Sequence, residues 1–430
     1  MENQAMLALG VFLVTYALII SEKIHRTVVA MLGGLAMVLL GIVDYETAVH
    51  HIDFNTLGLL VGMMIMVAIT GQTGIFRYIA IYAAKKVKCR PMPILSILAV
   101  ITALFSALLD NVTTVLLMVP VTLTLTQRLN IKPEPYLITL IISSNIGGTA
   151  TLIGDPPNIM IGSAVKELTF LAFIHNLAPV ALAILFVTII LLISLYRKLL
   201  VTDERHRLAL LQLNEKEELV DPALLVKCLS VLGVTLAGFL GHQALHLESS
   251  TVALSGAFIL LLLTAKTERA VEVALEKVEW PTIFFFLGLF VLVSGLVETG
   301  IIDGVARYAI AVTGGSPALS AMLILWLSAI ASAFVDNIPF VATMIPLIQN
   351  MGQLGIANME PLWWSLALGA CLGGNGSLIG ASANLIVAGL AAQQNYPLSF
   401  RRFLAVGFPL MLLSVVIANG YIYLRYLSHL

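Results

Sequence analysis

Three carboxylates, Asp110, Asp155 and Asp336, lie inside long apolar stretches of a 430-residue chain. An aspartate at the centre of a membrane helix costs about 2.5–3.5 kcal/mol on insertion scales. Such residues face a water-filled cavity or the bundle interior and mark ion or proton paths. Two of the three open an Asp-Asn pair, Asp110-Asn111 and Asp336-Asn337, each at the middle of an apolar segment. The third stands in a polar break that also holds Asn145, Gly147, Gly148, Thr149, Thr151 and Asn158. A second break holds Gly373, Gly374, Asn375, Ser377 and Asn384. Amides and hydroxyls donate and accept without charge, and glycines let backbone approach closely. The four breaks would bring four half-helix N-termini together, each with roughly half a positive charge. That combination suits an anion or a neutral polyhydroxylated solute, with the carboxylates supplying cation or proton sites.

The three carboxylates are not equivalent. Asp155-Pro156-Pro157 is a helix start by its own chemistry, because Asp caps free N–H groups and Pro is tolerated in the first turn. Asp155 is therefore expected to cap the restarting helix after the chain unwinds through Gly147, Gly148 and Gly154. Its proton-coupling role ranks behind that of Asp110 and Asp336, which recur at both Asp-Asn tips.

The elements that position these groups are membrane helices. The chain is 59% hydrophobic and 11% charged, against about 25% charged for a soluble domain. Apolar runs of crossing length fall at about 6–21, 27–43, 55–72, 135–165 (broken), 171–196, 224–241, 250–264, 281–297, 362–392 (broken) and 403–424. The Asp-Asn segments 94–126 and 318–350 read as re-entrant hairpins that enter and leave on one side. With the N-terminus outside, every basic residue except Lys166, Arg307 and Arg425 then falls on the inner face, as the positive-inside rule requires.

An offset of 226 residues aligns Ser106–Pro120 with Ser332–Pro346, seven of 15 positions being identical. The same offset places Gly147-Gly148 on Gly373-Gly374, Asn158 on Asn384, and Thr73-Gly74-Ile75 on Thr299-Gly300-Ile301. Each half holds five crossings and a hairpin, and an odd number of crossings inverts the second half. The expected fold is thus an all-α polytopic membrane protein of about 10 crossings built from two inverted repeats, 1–198 and 223–430. A cytoplasmic, solvated linker at 199–222 joins them, with a surface helix at 203–218. Inverted repeats with broken helices meeting near the midplane are a signature of secondary transporters.

Other classes find little here. No zinc-protease, serine-hydrolase or P-loop motif occurs, and an intramembrane aspartyl protease would need Gly at position 152, where the chain has Leu152. Cys89, Cys228 and Cys371 lie far apart, so no disulfide framework, structural zinc or other metal site is expected. A net charge of −1 says nothing about a partner, and no nucleic acid is expected. No cofactor is expected; the coupling ion would be H⁺, with Na⁺ as the alternative.

Leu109–Pro120 and the string Gly147-Gly-Thr-Ala-Thr-Leu-Ile-Gly-Asp-Pro-Pro-Asn158 resemble the ion-transporter superfamily. The nearest part is its branch of arsenite-pump (ArsB-type) permeases, NhaD-type sodium/proton antiporters and P proteins. The resemblance spans essentially the whole chain. It implies scaffold and transport domains each drawn from both repeats, elevator-type alternating access and residence in the plasma membrane (the inner membrane of a bacterium). It leaves room for a homodimer, and a cytosolic ATPase partner would leave no mark on this chain. Related dicarboxylate carriers bind sodium and a carboxylate at Ser-Asn-Thr tips. The tips here read Asp110-Asn111-Val112 and Asp336-Asn337-Ile338, which points instead to protons or cations. The expected function is a proton-coupled antiporter exporting arsenite or antimonite. Sodium/proton antiport is the alternative, with an anion or dicarboxylate symporter and a passive channel behind it.

Overall fold

In a computed structural model the protein is described over residues 2–21, 23–242, 245–265 and 267–428. Lys266, counted above among the inner basic residues, lies outside the described residues. Every regular element among the described residues is a helix. Eight are long and apolar enough to cross a membrane, and shorter apolar helices run over Arg26–Leu39, Ser249–Thr264 and Ser382–Gln393. Their outward faces stay apolar, with Leu182, Phe186 and Leu262 more than 60% exposed. In water such surface would be penalised; in lipid it is at home.

The 226-residue offset reappears as geometry. Pro91–Leu108 corresponds to Pro317–Phe334, Asn111–Arg128 to Asn337–Gln353, Glu134–Thr149 to Glu360–Gly373, and Pro156–Ala164 to Ser382–Gln393. Within each repeat, the first hairpin arm packs along the first half of the broken helix. Each second arm packs both on that half and on the second half of the other repeat's broken helix: Asn111–Arg128 on Ser382–Gln393, and Asn337–Gln353 on Pro156–Ala164. The outer helices are exchanged likewise, Arg26–Leu39 lying on Trp280–Glu298 and Phe54–Gly71 on Ser249–Thr264. Small residues carry these crossings: a Cβ on Gly62 would come within 2.6 Å of Ala253, and one on Gly288 within 2.5 Å of Ala30. Backbones that approach this closely gain the dispersion contacts that hold membrane helices together.

Ion pairs between distant segments respect the two faces assigned from basic residues. Lys85 meets Glu215 at 2.5 Å and Arg402 meets Glu134 at 3.0 Å, joining inner segments. Lys166 meets Glu248 at 2.7 Å and His51 meets Glu298 at 3.0 Å, joining outer ones. Tyr136 donates to Pro91 O at 2.8 Å, which brings the two ends of the first hairpin together.

The linker departs from the sequence reading. It carries an α-helix over Glu204–Leu211 and a 3-10 turn over Glu215–Glu218 rather than one helix over 203–218, and hydrogen bonds tie it to neighbouring segments. Lys85 donates to the Leu213 carbonyl at 2.8 Å, Val220 N–H donates to Thr73 O at 3.1 Å, and Thr202 Oγ1 donates to Leu129 O at 2.5 Å. The amphipathic helix Ile75–Lys86 offers a ready partner for an acidic segment, so Glu215 and Glu218 turn towards it.

Candidate functional site

The breaks are held open by a pair of asparagines acting as clips. Asn158 Nδ2 donates to the carbonyls of Gly148, Thr149 and Thr151 at 3.3, 3.2 and 2.8 Å. Asn384 Nδ2 donates to Gly374 and Ser377 at 2.7 and 2.8 Å. These are carbonyls that helix termination leaves without N–H partners, and in a membrane interior each would cost several kcal/mol unpaired. Hydroxyls pin the breaks to the hairpins: Ser106 donates to Ser144 O at 2.6 Å and Ser332 to Ala370 O at 2.7 Å. Thr151 and Ser377 donate to Ala107 O and Ala333 O, both at 2.5 Å.

One sequence expectation changes here. Gly147 and Gly148 do not unwind the chain; the helix runs through Thr149, and the break is residues 150–155. The glycine is needed for proximity, since a Cβ on Gly147 would lie 2.2 Å from Ala103 O and one on Gly373 2.6 Å from Ala329 O. Thr151, Ser377 and the four glycines thus all help to hold the breaks against the hairpins. Thr149 Oγ1 is likewise engaged, donating to Asn145 O at 2.7 Å.

The carboxylates also exchange roles. Asp155 occupies the N-cap position of Pro156–Ala164, yet its side chain caps nothing. Pro157 at the second helical position has no N–H to give a capping carboxylate, and the next one, Asn158 N–H, donates to the Asp155 carbonyl at 3.0 Å. Its Oδ1 accepts from Asn337 Nδ2 at 3.3 Å, and its Oδ2 is buried without a hydrogen-bond partner, with the Cys371 thiol beside it. Asp110, by contrast, is the working cap. Its Oδ1 accepts from Thr113 N–H at 2.7 Å and its Oδ2 from Thr113 Oγ1 at 2.6 Å. The tip holds it at φ 139°, a region that costs a non-glycine residue of order 1–3 kcal/mol. Asp336 caps through Oδ1, from Ile338 N–H at 3.1 Å, and gives Oδ2 to Arg26 Nη1 at 2.5 Å and Ser382 Oγ at 2.8 Å.

The polar residues gather into two centres related by the repeat. In one, Asn111 Nδ2 donates to Asn145 Oδ1 at 3.2 Å, while Asn145 Nδ2 donates to Asn375 Oδ1 and Asn384 Oδ1, both at 3.0 Å. In the other, Asn337 meets Asp155, and Cys371 Sγ lies 3.5 Å from Asn158 Oδ1. The offset pairs Asn111 with Asn337, Asn145 with Cys371, Asn375 with Thr149, Asn384 with Asn158, and Ala381 with Asp155. One centre is therefore all amide and uncharged; its counterpart carries the carboxylate. Asn111 Oδ1 and Asn375 Nδ2 are buried without partners. An unpaired acceptor and an unpaired donor at one centre are what a bound hydroxyl group satisfies.

Arg26 and Cys371 join these groups without having been singled out among the expected ligands, whereas Ser382 belongs with the hydroxyl residues expected at the second break. Arg26 reads in sequence as one inner-face basic residue among many, and its offset partner is Val252, so no repeat signal marks it. No cluster of metal-ligating side chains occurs among the described residues.

Residues 16–369 match the family described as citrate transporter, CitMHS. The chain is 42% identical to an uncharacterised transporter of Mycobacterium tuberculosis over 98% of its length and 99% of that protein. It is 35% identical to the human P protein over 98% of this chain and 60% of that protein. Among solved structures, the YdaH transporter of Alcanivorax borkumensis superposes with a TM-score of 0.58 at 14% identity, over 98% of both chains. That likeness concerns the fold alone. Match length and identity together make this chain a member of the citrate transporter family, a multi-span membrane transporter.

Proposed function

We propose that the protein is a proton-coupled antiporter exporting a small, uncharged, polyhydroxylated solute, with arsenite or antimonite as the substrate. The observation that carries this reading is Asp155: a buried carboxylate, released from capping, with one oxygen facing only the Cys371 thiol beside a cluster of amides. A proton is the smallest partner for that oxygen. The unpaired Asn111 Oδ1 and Asn375 Nδ2 suit a hydroxyl, which donates to one and accepts from the other. Arsenite is an uncharged trihydroxide at neutral pH, so membrane potential alone cannot drive it outward. Exchange for one entering proton supplies about 2.3 kcal/mol per 100 mV. In this reading coupling moves from Asp110, both of whose carboxylate oxygens are engaged by Thr113, to Asp155.

Two further readings have an observation behind them. The same carboxylates could exchange protons for sodium, as the resemblance to NhaD-type antiporters implies. The family description favours citrate. Free citrate would enter a region with three aspartates and one engaged arginine, so its charge would have to be neutralised by accompanying cations.

Proteoliposomes with an imposed pH gradient separate these readings. Arsenite movement driven uphill by the gradient supports the first. Sodium-dependent collapse of the gradient without arsenite movement replaces it with the second, and gradient-driven citrate uptake with the third. Flux of any of them that only runs downhill would mark a channel.

A further inference from the structure

The two hairpin tips differ at one residue with large consequences. Three positions after Asp110 stands Thr113, which supplies both an N–H and a hydroxyl to the carboxylate. Three positions after Asp336 stands Pro339, which has neither. Asp336 therefore keeps one oxygen free of its own helix, and Arg26 fills the gap. Its Nη1 lies 2.5 Å from Asp336 Oδ2 and 2.8 Å from Ser382 Oγ, while Ser382 Oγ donates to the same carboxylate oxygen at 2.8 Å. The equivalents of Arg26 and Ser382 beside the first tip are Val252 and Pro156, which can do none of this. A cavity of about 330 Å³, opening at the inner end of the first helix, reaches Arg26, Asp336 and Ser382 together.

Arg26 is not part of the hairpin's own body. It begins the helix Arg26–Leu39, which packs on Trp280–Glu298, and its guanidinium lies over the Phe285 ring at 5.1 Å. Nearby on the same side, Tyr16 donates to Pro339 O at 2.6 Å. The second hairpin is thus tied to the outer helices at two points.

We propose that Asp336 and Ser382 form a site for a small monovalent cation, and that Arg26 occupies it in this conformation as a cation built into the chain. The guanidinium supplies the positive charge the carboxylate needs while it binds the second hairpin to the outer helices. A free cation and Arg26 compete for the same oxygen, so occupancy by one releases the other. This rests on the reading of the protein as an ion-coupled transporter.

The test uses the full-length protein in detergent and needs no transported solute. Arg26→Ala should lower the melting temperature, and millimolar guanidinium should restore about 2–4 °C of it. Choline chloride at matched ionic strength, whose bulky cation cannot enter the site, sets the baseline. Wild type and the Arg26→Ala/Asp336→Asn double variant should not respond. An equal response in all three proteins overturns the proposal. Should Arg26→Ala fail to accumulate, the neutral pair Arg26→Gln/Asp336→Asn should recover expression, since it leaves no buried charge uncompensated; if it does not, the proposal falls. Rescue without transport of any solute would retain the cation site and remove the transport reading, and gradient-driven transport without rescue would do the reverse.

Discussion

Asn158 and Asn384 stand 226 residues apart and have two bonds in common. Each sends its Nδ2 back to the carbonyl of the second residue of a Gly-Gly pair and to the carbonyl three residues later. The breaks are therefore closed loops with a fixed shape, not slack in a helix. Replacing either asparagine by leucine removes the donor and leaves buried carbonyls unpaired, at about 1–3 kcal/mol each. Asn158→Leu and Asn384→Leu are expected to lower the melting temperature and to abolish transport together. Asn→Asp should be no better, because a carboxylate has no hydrogen to give. Thermal unfolding and uptake assays on the same preparations check this.

Asp155 and Asp110 make opposite predictions for the same substitution. Asparagine is a good N-cap, so Asp110→Asn keeps the Thr113 N–H bond and should alter stability by less than about 1 kcal/mol. Transport and its pH dependence should persist. Asp155→Asn keeps an acceptor for Asn337 but removes the titratable oxygen. It should fold normally and lose the response of transport to an imposed pH gradient. If Asp110→Asn loses coupling while Asp155→Asn keeps it, the assignment of roles is reversed.

How much of this was legible beforehand depends on what each residue's neighbours had to be. The helices, hairpins and repeat were readable because apolar length and a shared offset are properties of the chain itself. The polar centres were readable too: Asn111, Asn145, Asn375 and Asn384 lie at recurring breaks, and the structure brings them within hydrogen-bond reach. The carboxylate roles were not. Asp-Pro-Pro looks like a cap, and only the actual backbone shows Asp155 turned to Asn337 instead. Arg26 was invisible because its partner is 310 residues away and outside the repeat. The docked linker was missed for a similar reason, since a mixed-charge segment reads as solvated until a complementary helix is placed beside it.

Glycine at 147 and 373 is a packing requirement. A methyl group there would lie 2.2 Å from Ala103 O or 2.6 Å from Ala329 O, and the obstruction is backbone, which cannot rotate aside. Gly147→Ala and Gly373→Ala should each cost about 1–3 kcal/mol, the usual range for overpacking, by pushing a hairpin arm away from its broken helix. Gly233→Ala is the control: nothing lies within 4 Å of a Cβ at Gly233, and alanine is the better helix former. Fluorescence-detected size exclusion and melting curves distinguish them.

The linker contact carries its own pH signature. Lys85 holds the Glu215 carboxyl below the usual carboxylate range, its hydrogen bond being the largest cause. A carboxyl whose pKa is depressed on folding stabilises the folded state above its unfolded pKa, about 4.3 for Glu. That stabilisation is lost as pH falls through the lower folded value. Wild type should therefore melt above Glu215→Gln at neutral pH, with the gap closing as the medium is acidified below the ordinary carboxylate range. Lys85→Met should lose at least as much at neutral pH, since it also removes the bond to Leu213 O, and adding Glu215→Gln to it should cost nothing further, because the ion pair is already gone. Additive losses in the double variant would mean that Lys85 stabilises the linker chiefly through the Leu213 carbonyl.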